Sequence, residues 1–268
     1  MPICPATFAR LLHRPGGRCG TCRGTANPGF GSRFTDHMVT IDWDEGAAGT
    51  RCGRPHGPIP LDPAASVLHL RAGNLRGLKA YRHSDGSMAL FRPEANAARF
   101  NARPGAWPCP RSSKRCCLRD RGTGPRHAAW FHGRGRFAHS RPFMIATEAS
   151  LGVRPAKQYK FVVIARPGGQ LFQVGGPGGF DLGIGLYRAA PAAPVRRRRR
   201  QLCRQPGPHR RGRLCQGGND QVLFLDAAEH KWIEELGGMN LFFVFADGSL
   251  LTPPLSGTIL AGALPATA

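Results

Sequence analysis

Asp226-Ala-Ala-Glu-His-Lys-Trp-Ile-Glu-Glu-Leu-Gly-Gly-Met-Asn-Leu-Phe-Phe-Val-Phe245 carries two strand signals joined by a Gly-Gly turn, with the carboxylates of Glu234 and Glu235 ending the first. Lys231 to Leu236 predicts one strand and Leu241 to Ala246 a second, buried one. Asp247-Gly248 then predicts a hairpin turn into Ser249-Leu-Leu-Thr252. Just upstream, Gln221-Val-Leu-Phe-Leu-Asp226 reads as a buried strand. Side chains alternate along a strand, so Glu234 and Glu235 are expected on opposite faces. At most one of them then points into a site, and Glu234 is expected in solvent.

The same grammar recurs towards the N-terminus. His37-Met-Val-Thr-Ile-Asp-Trp43 alternates and is rich in β-branched residues, which predicts a strand. Leu78-Lys-Ala-Tyr-Arg82, His83-Ser-Asp-Gly86 and Ser87-Met-Ala-Leu-Phe91 predict a hairpin around Asp-Gly. Pro93-Glu-Ala-Asn-Ala-Ala-Arg-Phe-Asn101 predicts a helix with proline in its first turn, where the missing N–H costs nothing. Lys160-Phe-Val-Val-Ile-Ala165 predicts a second buried strand.

Charge is distributed as a mosaic. The 268 residues include 38 Lys and Arg against 16 acids, a formal charge of +22. Five stretches, 1–26, 47–57, 69–76, 102–140 and 174–218, hold 27 of those cations, 2 of the acids and all nine cysteines. The remainder is slightly acidic and has the make-up of an ordinary cytoplasmic enzyme. The basic stretches mix Arg, Gly, Pro, Ala and Cys with no sustained period of 2 or 3.6, which predicts loop or disorder. A GC-rich gene read out of frame yields this composition, so frameshifted segments are the preferred reading over basic surface insertions. No apolar run approaches the roughly 18 residues a membrane helix needs. Met1 to Arg14 lacks the apolar core of a secretory signal, and neither a collagen period nor a heptad persists.

The motifs inside the basic stretches carry little chemistry. Arg196 to Arg200 would attract phosphates non-specifically, but no aromatic residues interleave to stack bases. Cys19-Gly-Thr-Cys22 has metal-ligand spacing without a second pair, since Cys116 and Cys117 are adjacent. No metal site is expected. Nine cysteines is an odd number, and no disulfide framework follows from it. Gly175-Gly-Pro-Gly-Gly179 lacks the Gly-Lys-Ser/Thr of a phosphate loop and is expected to be part of a linker.

The 226–245 run strongly resembles the branched-chain amino-acid aminotransferases, pyridoxal-phosphate enzymes of fold type IV. So do Gly77-Leu-Lys-Ala-Tyr-Arg82, Leu90-Phe-Arg-Pro-Glu-Ala-Asn-Ala-Ala-Arg99, Arg141-Pro-Phe-Met-Ile-Ala-Thr-Glu-Ala-Ser-Leu-Gly-Val153 and Thr252-Pro-Pro-Leu-Ser-Gly-Thr-Ile-Leu260, in family order. The resemblance implies a mixed α/β fold of two domains with the cofactor between them. A basic segment would occupy 1–26. The N-terminal domain would span 27–167, disrupted at 47–57, 69–76 and 102–140. A Gly-rich linker would cover 168–180, and an incomplete C-terminal domain 181–268, disrupted up to 218.

The resemblance also implies roles for individual residues. Arg99 matches the arginine on the cofactor phosphate, Glu235 the carboxylate on its pyridine nitrogen, and Arg141 an arginine lining the substrate side. The implied reaction is transfer of the amino group of leucine, isoleucine or valine to 2-oxoglutarate, in a homodimer with small amino-acid and 2-oxo-acid substrates. Several positions depart from the pattern. The family lysine that holds the cofactor covalently falls at about Arg198, and a guanidinium cannot replace it. Leu70 and Leu75 stand where the family has an active-site Tyr and Phe, and Ala261-Gly-Ala-Leu264 replaces a phosphate-binding turn. The chain is therefore expected to be inactive. The alternatives are a non-functional frameshifted product and a basic nucleic-acid-binding protein.

Overall fold

Strand Gln158–Pro167 is the spine of the first part of the molecule, because its side chains are buried at nearly every position and both its edges are paired. The computed structural model describes residues 31, 33–44, 47–49, 52–85, 87–101, 137–168, 180–182, 221–226, 228–236, 239–255, 259 and 262. The chain divides into two units, Met1–Gln170 and Leu171–Ala268.

In the first unit the strands are β1 (His37–Asp44), β2 (Ala47–Ala48), β3 (Cys52–Pro55), β4 (Gly73–Leu75), β5 (Leu78–Arg82), β6 (Met88–Leu90), β7 (Phe137–Ala146) and β8 (Gln158–Pro167). Two helices, α1 (Ser66–Leu70) and α2 (Pro93–Asn101), complete the described elements. The sheet runs β2-β1-β8-β7-β5-β6, with β3 also on β1 and β4 also on β7, and every pairing is antiparallel. Burial alternates along all ten residues of β7, as expected of a strand with one face on a core. Val39 and Ile41 of β1, Met144 and Ala146 of β7, and Tyr159, Phe161 and Val163 of β8 share one face. Helix α2 covers that face with Ala97 and Phe100, three residues apart on one side of the helix. The rings of Phe100 and Phe161 meet edge to face, 5.8 Å between centroids.

The hairpin around Asp85 and helix α2 match the sequence expectation, and Asp85 Oδ1 accepts the Ser87 N–H at 2.8 Å to close the turn. The basic stretches 47–57 and 69–76 do not behave as irregular loop. Cys52–Pro55 pairs with His37–Thr40, and Gly73–Leu75 pairs with Phe143–Ile145. Backbone pairing needs donors and acceptors rather than apolar alternation, and an available edge of β1 or β7 supplies them. Gly73 allows the close approach: a Cβ there would lie 3.1 Å from the Met144 carbonyl oxygen. Strand β7 likewise begins at Phe137, four residues before the resumption of pattern expected at Arg141.

The second unit contains β9 (Phe180–Leu182), β10 (Gln221–Leu225), β11 (Ile233–Leu236), β12 (Phe243–Val244) and β13 (Leu250–Leu251) among its described residues. Strand β10 pairs in parallel with β9 and antiparallel with β11, and β12 pairs with β13. The run Leu241 to Ala246, read as a buried strand, is instead the exposed arm of a two-stranded hairpin. Val244 is 73% exposed and Leu250 56%. Gly248, at φ +83°, makes the predicted Asp-Gly turn, because only glycine adopts that conformation without cost. Cys19, Cys22, Cys116, Cys117, the arginine run that includes Arg198, the Gly175 to Gly179 linker and Ala263-Leu264 lie outside the described residues.

Candidate cofactor and substrate residues

Glu235 sits on β11 and is 1% exposed; Glu234 beside it is 7% exposed. This corrects the expectation that Glu234 lies in solvent. Glu235 is opposite Phe224, but Ile233 is opposite Leu225, so Glu234 is the extra residue of a β-bulge. A bulge breaks strict alternation and turns two consecutive side chains away from water.

The register that makes this bulge is set at Asp226. Its carboxylate accepts backbone hydrogen bonds from Glu229 (2.7 Å), Lys231 (2.8 Å), Trp232 (2.8 Å) and Ala228 (3.1 Å). Its own N–H donates to the Trp232 carbonyl at 2.8 Å, closing the β10–β11 connection. The Glu229 and Trp232 amides, then those of Lys231 and Ala228, hold the Asp226 carboxyl well below the usual carboxylate range. A depressed carboxylate stabilises the fold above its unfolded pKa of about 3.9 and loses that contribution as pH falls. Asp226→Asn is therefore expected to lower the melting temperature at pH 7, with the gap to the parent chain narrowing below about pH 4. Thermal melts across that range measure it, and a gap that does not change with pH would contradict it.

Arg99 lies in the last turn of α2 and is half-buried. The end of this helix is tied to the sheet through its carbonyls, which have no partners within the helix. Asn74 Nδ2 donates to the Phe100 carbonyl at 2.6 Å, and Arg76 Nη2 donates to the Arg99 carbonyl at 2.9 Å. Both donors come from the 69–76 stretch. Within it, Leu70 packs against the core while Leu75 is 54% exposed.

Arg141 is half-buried on β7, opposite Ile164. Strand alternation puts it on the side of the sheet away from the α2 core, with His139 two residues before it. His139 pairs with Lys79 on β5 and with Arg166 on β8. Burial, and then the charges of Arg141, Arg166 and Lys79, lower the His139 pKa to about 4, so its imidazole is neutral at pH 7. The sequence reading missed His139 because it ended the irregular stretch at residue 140. The alternation of Phe137-Ala-His-Ser-Arg141 was the signal. Arg99 and Arg141 thus belong to the first unit and Glu235 to the second. Among the described residues no three His, Cys, Asp or Glu side chains gather where they could hold a metal ion.

No protein-family model matches the chain. The chain is 43% identical over 261 residues to a probable branched-chain-amino-acid aminotransferase of Streptomyces coelicolor, a match covering 88% of this chain and 66% of that protein. It is 35% identical over 268 residues to branched-chain-amino-acid transaminase 1 of Bacillus subtilis, covering 90% and 68%. The chain thus spans about 66% of the length of the first of these relatives. Its fold is similar to that of the Escherichia coli branched-chain amino acid aminotransferase, with TM-score 0.59 and 19% identity, covering 84% of this chain and 71% of that one. It is also similar to an aminotransferase from Brucella abortus bound to the co-factor PLP, with TM-score 0.53 and 19% identity, covering 84% and 74%.

Proposed function

Because the chain belongs to the branched-chain-amino-acid aminotransferases, we propose that it is a member whose framework is built for transamination of leucine, isoleucine and valine with 2-oxoglutarate, and which does not itself complete that reaction. Pyridoxal phosphate is the cofactor of the family, and when bound it supplies the electron sink for removing the substrate's α-proton. The observation that carries the reading is Glu235: a carboxylate 1% exposed on a bulged strand suits a protonated pyridine nitrogen. Arg99 has the charge and the helix-end position for a phosphate, and Arg141 has the charge for a substrate carboxylate. The set of residue types lacks its covalent member. The residue that should hold the cofactor covalently and move the proton corresponds to about Arg198, whose guanidinium stays protonated at any working pH. The residues fit the cofactor's charges and not its covalent attachment, so no catalytic step follows through it. A homodimer, amino-acid and 2-oxo-acid substrates and a cytoplasmic location belong to the same proposal. No helix among the described residues is long and apolar enough to cross a membrane.

The test uses the purified chain incubated with pyridoxal phosphate, reduced with borohydride and digested for mass spectrometry. The expected result is no single stoichiometric lysine adduct and no leucine-dependent formation of glutamate. A stoichiometric adduct on one of the five lysines, with turnover, would overturn the reading.

The mosaic of charge favours a second statement, that the basic stretches are out-of-frame segments of the gene. They hold 27 of the 38 cations and all the cysteines, while family-like runs resume in order after each. On that reading the arginine run attracts nucleic acid only non-specifically, through its charge.

A further inference from the structure

We propose that Arg76 is a positioning residue for the cofactor phosphate, a role that rests on Arg99 being the arginine that holds it: Arg76 caps the end of α2 that carries Arg99 and reverses the sign of the charge there. A phosphate at Arg99 otherwise meets an electrostatic obstacle. Arg99 lies in the last turn of α2, and the last four carbonyls of a helix have no partners within it. Their aligned dipoles amount to about −0.5 of an elementary charge at that end. Helices bind anions at the opposite, N-terminal end. An arginine at a helix C-terminus is thus partly neutralised by its own backbone before any phosphate arrives.

Strand β4 and the residue after it remove that obstacle. Gly73–Leu75 pairs with β7, and the Arg76 N–H continues the contact by donating to the Pro142 carbonyl at 2.9 Å. This register carries two side-chain donors to the helix end. Asn74, 3% exposed, donates from Nδ2 to the Phe100 carbonyl at 2.6 Å. Arg76, half-buried, donates from Nη2 to the Arg99 carbonyl at 2.9 Å and from Nη1 to the Leu75 carbonyl at 2.8 Å. Held by two carbonyl oxygens, the guanidinium is fixed in place, and its charge is permanent. One full positive charge on the Arg99 carbonyl outweighs the half negative charge of the helix end. The bond also holds the backbone from which the Arg99 side chain extends. Asn74 satisfies its carbonyl without adding charge, so of these two donors only Arg76 changes the electrostatics.

The probe is pyridoxamine 5′-phosphate, which has no aldehyde and forms no bond to lysine, with pyridoxamine as its phosphate-free control. The fluorescence of each is titrated with the full chain and with Arg99→Gln, Arg76→Gln and Arg76→Lys. The parent chain is expected to prefer the phosphate ester, and Arg99→Gln to remove that preference. Arg76→Gln keeps a side-chain N–H for the Arg99 carbonyl and loses the charge. It is expected to weaken binding of the ester about fivefold and to leave pyridoxamine binding unchanged. Arg76→Lys keeps both donor and charge and should stay within about twofold of the parent. A cap that is only structural would weaken both ligands together or neither. If Arg99→Gln loses the preference while Arg76→Gln retains it in full, the proposal is overturned and the role of Arg99 stands. A parent chain with no preference, or a preference that survives in Arg99→Gln, would overturn both.

Discussion

Phe161→Ala is expected to destabilise the first unit by about 3–5 kcal/mol, the range for removing a buried aromatic side chain. Phe161 is 2% exposed, meets Phe100 edge to face at 5.8 Å, and pairs across the sheet with both Ile41 and Met144. Its loss removes both the transfer free energy and the ring contact, and it leaves a cavity between α2 and the sheet that a rigid strand cannot close. Domains of this kind are stable by only about 5–15 kcal/mol in total, so the substitution takes a large share. Urea denaturation followed by circular dichroism measures it. Leu68→Ala, at a position 56% exposed, serves as the comparison and should stay within about 0.5 kcal/mol of the parent. A loss below about 1 kcal/mol at Phe161 would mean that the α2–sheet contact does not form the core.

The largest functional change is expected from the gene rather than from any one substitution. Read one base over near residue 192, the coding DNA is expected to encode a Gly-rich segment with lysine opposite Arg198. Family-like sequence returns cleanly at Asn219-Asp-Gln-Val, which locates the end of the shifted segment. A chain with all five stretches restored would regain the amine that covalent cofactor attachment requires, together with the residues opposite Leu70 and Leu75. Leucine turnover, expected to be absent from the chain as it stands, should become measurable. The same borohydride protocol should then label one lysine. DNA with no such alternative frame would end the frameshift reading and leave the basic stretches as insertions.

Local pattern alone was enough for much of this molecule. Pro93 to Asn101 could only be a helix, since proline opens it and Ala97 and Phe100 fall on one side. Asp85-Gly86 and Asp247-Gly248 announced their turns, because a tight reversal demands residues that tolerate it. The motifs around Arg99, Arg141 and Glu235 were sufficient to place the chain in its family. Composition misled at 47–57 and 69–76, where strand pairing depends on an edge supplied by distant β1 and β7 and not on the segment's own periodicity. Alternation misled at Glu234, since the bulge that buries both glutamates comes from the register of β11 against β10, held by the backbone cage around Asp226. Strand signals at Leu241 to Ala246 said nothing about burial, which depends on what covers a strand and not on its residues. The pairing of His139 with Lys79 and Arg166 was illegible because it too depends on distant parts of the chain. Its members are separated by 60 and 27 residues of chain and become neighbours only through cross-strand register, which long-range hydrogen bonding decides.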